Sequence, residues 1–402
     1  MFTKSLNNGQ SQILISAGAP ESITCQGVSS MNIFSSFRDL LSTRHEVAKN
    51  WKAKGKHVIG WSCTYTPEEL IHAADALPVM VFGSLESTKL ADVHLPINVC
   101  SFSRSCFNSA LKGDYDYLDG FVTSSSCDNR NKIFDMWRYY VRIPYLHFIN
   151  TPRSTTELAH DFFYAEISRF KTSLEEICRK TISTAALNRA IQVYNDNRLL
   201  LKRVYDLRKM QPPLISGVEA LEIVLSSMVT LKEKHNDLLN RLLAEIPNRV
   251  NPPKRGVRLL VSGSVMDNTE LLKIVESVGG SVVADDWCTG SRYFWNLVDS
   301  GSDPLVAIAR RYLGKIPSSF MLEQKERFGH TIKIAKQRDV EAAIIFVLKF
   351  CDTHMFDAPQ LMEVLKDIGL PVLCLEWEHS LSGMAQVKTR IEAFIEMVSG
   401  VE

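Results

Sequence analysis

Ala342-Ala343-Ile344-Ile345-Phe346-Val347-Leu348-Lys349-Phe350-Cys351-Asp352 is an apolar run that ends abruptly in a cysteine and a carboxylate. Its length and composition suit a buried strand of a parallel sheet. A thiol on the last residue of such a strand faces the crevice where open α/β sheets bind their ligands. Leu118-Asp119-Gly120-Phe121-Val122-Thr123-Ser124-Ser125-Ser126-Cys127-Asp128 has the same design: apolar strand, Cys-Asp, then a helix-compatible segment. The two stretches together suggest one site built twice.

Working outward from Cys351, helices are expected near 303–314 and 320–338 before the strand, with a last strand Val372-Leu373-Cys374-Leu375-Glu376 and a final helix over 385–398 after it. Upstream, Val257 to Gly263 reads as a strand, Leu271 to Val278 as a helix stopped by Gly279-Gly280, and Ser281 to Ala284 as a strand running into Asp285-Asp286-Trp287-Cys288. Around Cys127 the pattern is similar. A helix is expected over 35–54, a strand from His57 to Cys63, and a helix start at Thr66-Pro67-Glu68-Glu69 with Thr66 as its cap. Strands follow at Pro78 to Gly83 and Tyr145 to Asn150, and Cys100 falls near the start of a helix that contains Cys106.

Between these parts, residues 155 to 245 show long helical periodicity, broken at Pro212-Pro213 and ended by Pro247 and Pro252-Pro253. The expected fold class is therefore α/β. It comprises two parallel-sheet halves of flavodoxin or Rossmann-like type, joined by a long helical connector, with a site in the cleft between them. The expected division is an N-terminal arm over 1–34, a first α/β domain over 35–152, a connector over 153–250 and a second α/β domain over 251–402.

The 402 residues carry 46 basic and 45 acidic side chains, so no electrostatic footprint for nucleic acid or an anionic membrane is present. No apolar stretch approaches the roughly 20 residues of a membrane helix, and the first residues lack the apolar core of a signal peptide. A cytoplasmic protein is expected. Nine cysteines in such a chain argue for metal, redox chemistry or plain burial rather than a disulfide framework.

Position separates the cysteines. Cys63, Cys127, Cys288 and Cys351 each fall just past the C-terminal end of an apolar strand, and Cys100 can reach the same rim. Cys178 and Cys374 fit packing roles, and Cys25 lies in the arm. There is no Cys-x-x-Cys and no paired histidine near these thiols, which argues against a small zinc knuckle. Thiolates gathered from distant segments suit an iron-sulfur cluster in a crevice, because soft sulfur ligands favour iron and the fold sets the geometry.

The stretch Gly60-Trp61-Ser62-Cys63-Thr64-Tyr65-Thr66-Pro67-Glu68-Glu69, the Cys100 region, Ser126-Cys127-Asp128, Asp285 to Tyr293, Lys349-Phe350-Cys351-Asp352 and Thr389-Arg390-Ile391-Glu392-Ala393-Phe394 resemble, in that order, the 2-hydroxyacyl-CoA dehydratase and benzoyl-CoA reductase subunit family. The likeness spans roughly residues 35 to 400. It implies a [4Fe-4S] cluster with Cys100, Cys127 and Cys351 as ligands, an acyl-CoA substrate, a homologous second subunit, and a separate ATP-hydrolysing iron-sulfur activator. The chain itself has no Gly-x-x-x-x-Gly-Lys loop. In the dehydratases the thioester is reduced to a ketyl radical anion that expels the hydroxyl; in the aromatic reductases the electron dearomatises a ring.

One branch of the family carries a double-cubane [8Fe-9S] cluster on six cysteines, acts on small molecules and forms homodimers. There Cys63 and Cys288 would join the other three, but this chain has Lys315-Ile316-Pro317-Ser318 where those relatives show the sixth cysteine. A single cubane is the expectation. A non-catalytic partner subunit whose cysteines only pack is the third reading.

Plainer expectations attach to the neighbouring residues. Glu68 and Glu69 are read as acids serving a helix dipole, and His72 as a satisfied histidine. Asp128 and Asp352 are read as N-caps or cluster-orienting groups, and Ser124 to Ser126 as turn residues or donors to a cluster. Arg104 and Arg292 are read as solvated charges.

Overall fold

The computed structural model describes residues 33–301 and 303–400. Cys25 and nearly all of the expected arm lie outside the described residues. The described strands are β1 (Val58–Trp61), β2 (Leu77–Met80), β3 (Gly120–Ser124), β4 (Tyr145–Ile149), β5 (Val257–Gly263), β6 (Gly280–Asp286), β7 (Ala342–Leu348) and β8 (Val372–Trp377). They form two four-stranded sheets, ordered β2-β1-β3-β4 and β6-β5-β7-β8, with every pairing parallel. The same order occurs twice, and in both sheets the Cys-Asp strand is the third in sequence and lies next to the first. That junction is where the strand order reverses and where a crevice opens at the C-terminal edge.

Burial explains why these runs are strands without alternation. Every residue of β1, β2, β3, β6 and β7 is buried, as helices cover both faces. The edge strands β4 and β8 are half-buried. The edge of β2 is protected by the helical segment, whose Met228 carbonyl accepts from the Met80 amide at 2.9 Å.

Four helices, Glu157–Cys178, Thr184–Asp206, Gly217–Ser227 and Lys232–Glu245, occupy the stretch between β4 and β5. Thr156 and Ser183 cap the first two, and Ser216 with Glu219 closes a capping box on the third. The helices expected near 303–314 and 320–338 are Pro304–Leu313 and Gln324–Gln337.

Two local expectations differ. The helix expected over 35–54 is two, Ile33–Ser42 and Arg44–Ala53, because the Thr43 hydroxyl donates to the Asp39 carbonyl at 2.6 Å and competes with the backbone. Pro67, not Thr66, is the cap of Glu68–Ala73, and no side chain caps that helix.

Glu68 and Glu69 are not solvated dipole partners: both are buried, at 2% and 0% exposure. Tyr293 donates to Glu68 at 2.5 Å, and Lys232 Nζ lies 3.4 Å from its other oxygen. Arg198 pairs with Glu69 at 2.5 Å, and Tyr312 donates to the second Glu69 oxygen at 2.7 Å. Three parts of the chain are thereby fastened at one point: the segment after β1, the helical segment, and the second half. Burial pushes Glu68 up and Lys232 down, each toward its neutral form. For Glu69, burial acts upward as well, but Arg198, Arg311 and the Tyr312 hydroxyl outweigh it and hold the carboxyl below the usual range.

A second buried tie joins the halves. His379, after β8, lies 2.6 Å from Asp267, after β5; the Gly83 amide donates to Asp267 and the His379 amide to Ser101. Desolvation opposes both charges, yet each outweighs it on the other, so His379 is raised above 6.5 and Asp267 lowered below 3.8. The pair therefore stabilises fully between those ordinary values. Its contribution fades as pH rises through the elevated His379 value, or falls through the depressed Asp267 value. The urea midpoint should decline as pH rises above the ordinary histidine value and through the elevated one, and His379→Gln should flatten that decline; an unchanged slope in the variant would assign it to other groups.

Candidate functional site: a thiol-lined cavity between the sheets

Because all strands in each sheet run parallel, the residues that follow β1, β3, β5, β6 and β7 leave their sheets at C-terminal edges. They meet around one recess enclosing about 730 Å³ of unfilled space, part of it open to solvent. Cys63 follows β1, Cys127 follows β3, Cys288 follows β6 and Cys351 follows β7; Cys100 precedes the helix Ser101–Leu111. All five line the recess and none is in a disulfide. Cys106, Cys178 and Cys374 do not line it.

Cys127 and Cys351 occupy the N-cap positions of the helices Asp128–Tyr140 and Asp352–Asp367. The neighbouring carboxylates are thus not caps. Asp128 is exposed and pairs with Lys132, and Asp352 is exposed at the cavity rim. The turn into Cys351 is tight: Phe350 has φ +64, and Gly263 has φ +128 where a β-carbon would collide with the Phe346 carbonyl. Ser264, directly after Gly263, accepts from the Leu348 amide at 3.0 Å.

Asn129 crosses the cleft. Its Oδ1 accepts from the Cys100 amide at 3.3 Å and its Nδ2 donates to the Phe350 carbonyl at 3.1 Å, so one side chain sets the positions of Cys100 and the Cys351 turn together. Cys63 Sγ donates to Ser126 Oγ at 3.4 Å, and Ser125 hydrogen-bonds the Thr151 backbone. Ser124 Oγ is buried without a partner among the described residues. Ser318 also lines the recess. It is held there by its backbone N–H, which donates to Tyr65 OH at 3.2 Å, and by Lys315, which donates to Thr64 O at 2.6 Å.

The thiols differ in acidity. The Cys100 and Cys351 thiols act on each other. This lowers Cys100 and raises Cys351 well above the usual thiol value, with burial adding to the second shift. Burial pushes Cys127 up to about 11 and also raises Cys288. No three His, Cys, Asp or Glu side chains among the described residues converge on a point as a single-ion site requires. Thiol is the donor that iron-sulfur clusters take, and five thiols on one wall could hold one.

Two residues that sequence reasoning passed over complete the wall. Arg130 and His354 are both buried and both line the recess. Each stands three residues after a Cys, on the first turn of a helix whose cap is that Cys; the repeated i, i+3 spacing was the available signal. Burial, with Arg292 and Arg327 nearby, holds His354 well below the usual histidine value and so neutral. Arg104 and Arg292, expected in solvent, are buried instead: Arg104 binds Asp92 and Val99 O, and Arg292 binds Asp286 and Pro317 O. His72 meets Glu233 at 2.9 Å and does not line the recess.

A family model described as 2-hydroxyglutaryl-CoA dehydratase, D-component, matches residues 63–398. The (R)-phenyllactyl-CoA dehydratase beta subunit of Clostridium sporogenes is 27% identical over 365 residues, covering 90% of this chain and 98% of that protein. The lactoyl-CoA dehydratase subunit beta of Anaerotignum propionicum is 28% identical over 91% of this chain and 98% of its own length. A benzoyl-CoA reductase subunit of Thauera aromatica is 24% identical, over 87% and 94% respectively. With its match running from Cys63, the first thiol of the recess, through the last helix, the chain belongs to the 2-hydroxyglutaryl-CoA dehydratase D-component family, whose relatives are subunits of acyl-CoA dehydratases and benzoyl-CoA reductase.

Proposed function

We propose that this chain is the [4Fe-4S]-carrying subunit of a reductive enzyme acting on an acyl-CoA thioester, with Cys100, Cys127 and Cys351 as ligands. The carrying observation is the gathering of free thiols from both halves of the chain on the wall of one recess. When bound, a cluster with one open iron supplies a low-potential electron and a Lewis acid for the acyl oxygen. The electron comes from a separate ATP-hydrolysing iron-sulfur activator. The enzyme is completed by a second, homologous subunit, as the subunit names of the relatives suggest.

The chain's own residues have definite tasks in this reading. Asn129 keeps Cys100 in register with the Cys351 turn, and the N-cap positions of Cys127 and Cys351 fix two ligands at the starts of helices. Phe102, Tyr65 and Phe320 line the recess and limit water, with Tyr65 and Phe320 packed edge to face at 4.9 Å. Asn129→Ala should leave the fold intact and lower iron retention several-fold, since neither Cys100 nor the Phe350 carbonyl keeps its partner.

The test of the function is to combine the reconstituted chain with its companion subunit, the activator and ATP, and to follow 2-hydroxyacyl-CoA and benzoyl-CoA by mass spectrometry. Loss of water from the first, or ring reduction of the second, is the expected result. Turnover that persists without ATP and activator would contradict the proposal.

A second reading has its own support. Cys63, Cys288 and Ser318 share the recess with the three ligands, so a second cubane has donors to hand. About eight irons per chain, instead of about four, would favour it, with Ser318→Cys tightening the second half.

A further inference from the structure

Arg130 is 8% exposed and lines the thiol cavity from the first turn of Asp128–Tyr140. No carboxylate pairs with it among the described residues, and its Nη1 has no hydrogen-bond partner there. Its guanidinium lies 5.2 Å from the centre of the Phe102 ring, which offsets only part of the cost of burial. A buried cation left without counter-charge is unfavourable, so an arginine here implies an anion.

The acidic groups around it are thiols. Cys63, Cys100, Cys127, Cys288 and Cys351 line the same recess as Arg130. Cys106 turns instead to the Val81 carbonyl at 3.8 Å and does not line the recess. A thiol of the recess supplies the counter-charge once it holds metal, because the ligand is then the thiolate. Among the described residues that line the recess, Arg130 is the one arginine or lysine.

We propose that Arg130 is the counter-cation of the thiolate-held cluster, a positioning residue that makes the added electron easier to accept. The inference rests on the proposed function and deepens it. An added electron raises the negative charge of a cluster already held by thiolates, and a fixed positive charge beside it in a low-dielectric wall favours the reduced form. The electron enters from an external low-potential reductant, and no bond to Arg130 forms or breaks.

The test compares the full-length wild type, Arg130→Lys and Arg130→Gln after anaerobic reconstitution, by iron counting and an EPR-monitored redox titration. Arg130→Gln is expected to lower the ratio of reduced to oxidised cluster at the wild-type midpoint by at least about tenfold, a shift of about 59 mV to more negative potential. Arg130→Lys should recover most of it. If Arg130→Gln does not retain iron, Arg130→Lys loading normally with a near wild-type midpoint supports the charge role. A loaded Arg130→Gln with an unchanged midpoint overturns the proposal, as does a lysine variant no better than glutamine. A wild-type chain that takes up no iron instead sinks the underlying functional reading.

Discussion

Serine at Cys100, Cys127 or Cys351 is expected to cut the iron retained by the reconstituted chain from about four atoms to about one or fewer. Each of these thiols comes from a different segment: Cys100 from a helix start, Cys127 from the end of β3 and Cys351 from the end of β7. A neighbouring loop cannot substitute for any of them, because each side chain is set by its own strand or helix. The hydroxyl of serine is a harder donor and a weaker ligand for iron. Cys178→Ser and Cys374→Ser should retain the full complement, since neither residue lines the recess. Iron and acid-labile sulfide assays on the five variants make the comparison. Equal losses in all five would mean that serine acts by disturbing the fold.

The second large effect lies away from the thiols. Arg198→Met removes the partner of Glu69 and leaves a carboxylate with 0% exposure facing only Tyr312 and the more distant Arg311. Breaking a buried pair from one side costs about 3–5 kcal/mol, because the remaining charge stays desolvated. The urea midpoint should fall accordingly. Arg198→Met combined with Glu69→Leu should be much less harmful, since both charges go together. A midpoint as low in the double variant as in the single one would show that packing, not the stranded charge, carries the loss. The folded Glu69 value is depressed, so its share of stability is present above the ordinary carboxylate value and lost as pH falls through the folded one.

The fold was legible because both sheets are made of short, continuous apolar runs bounded by breakers, and parallel strands covered on both faces have no alternation to confuse the reading. Val257–Gly263 and the strand at Tyr145 fall where the run of apolar residues places them. The thiols were legible for a related reason: a cysteine just past an apolar run sits at a sheet edge, and in parallel sheets such edges share one side.

What escaped notice was long-range. Glu68 and Glu69 look like ordinary first-turn acids, and only the fold brings Arg198 from 129 residues away and Tyr312 from 243 to bury them. Arg104 and Arg292 become buried through nearer partners, from 5 to 25 residues away, one of which, the Pro317 carbonyl, belongs to the loop carrying Ser318. Arg130 lay within reach of local reasoning, three residues beyond Cys127, but its meaning depends on the absence of a carboxylate around it, which spacing does not reveal.

Iron and sulfide counting on the anaerobically reconstituted wild-type chain tests the central claim most directly. About four irons and four sulfides per chain, with an EPR signal on reduction, is the predicted result; a chain that stays folded yet binds neither would contradict it.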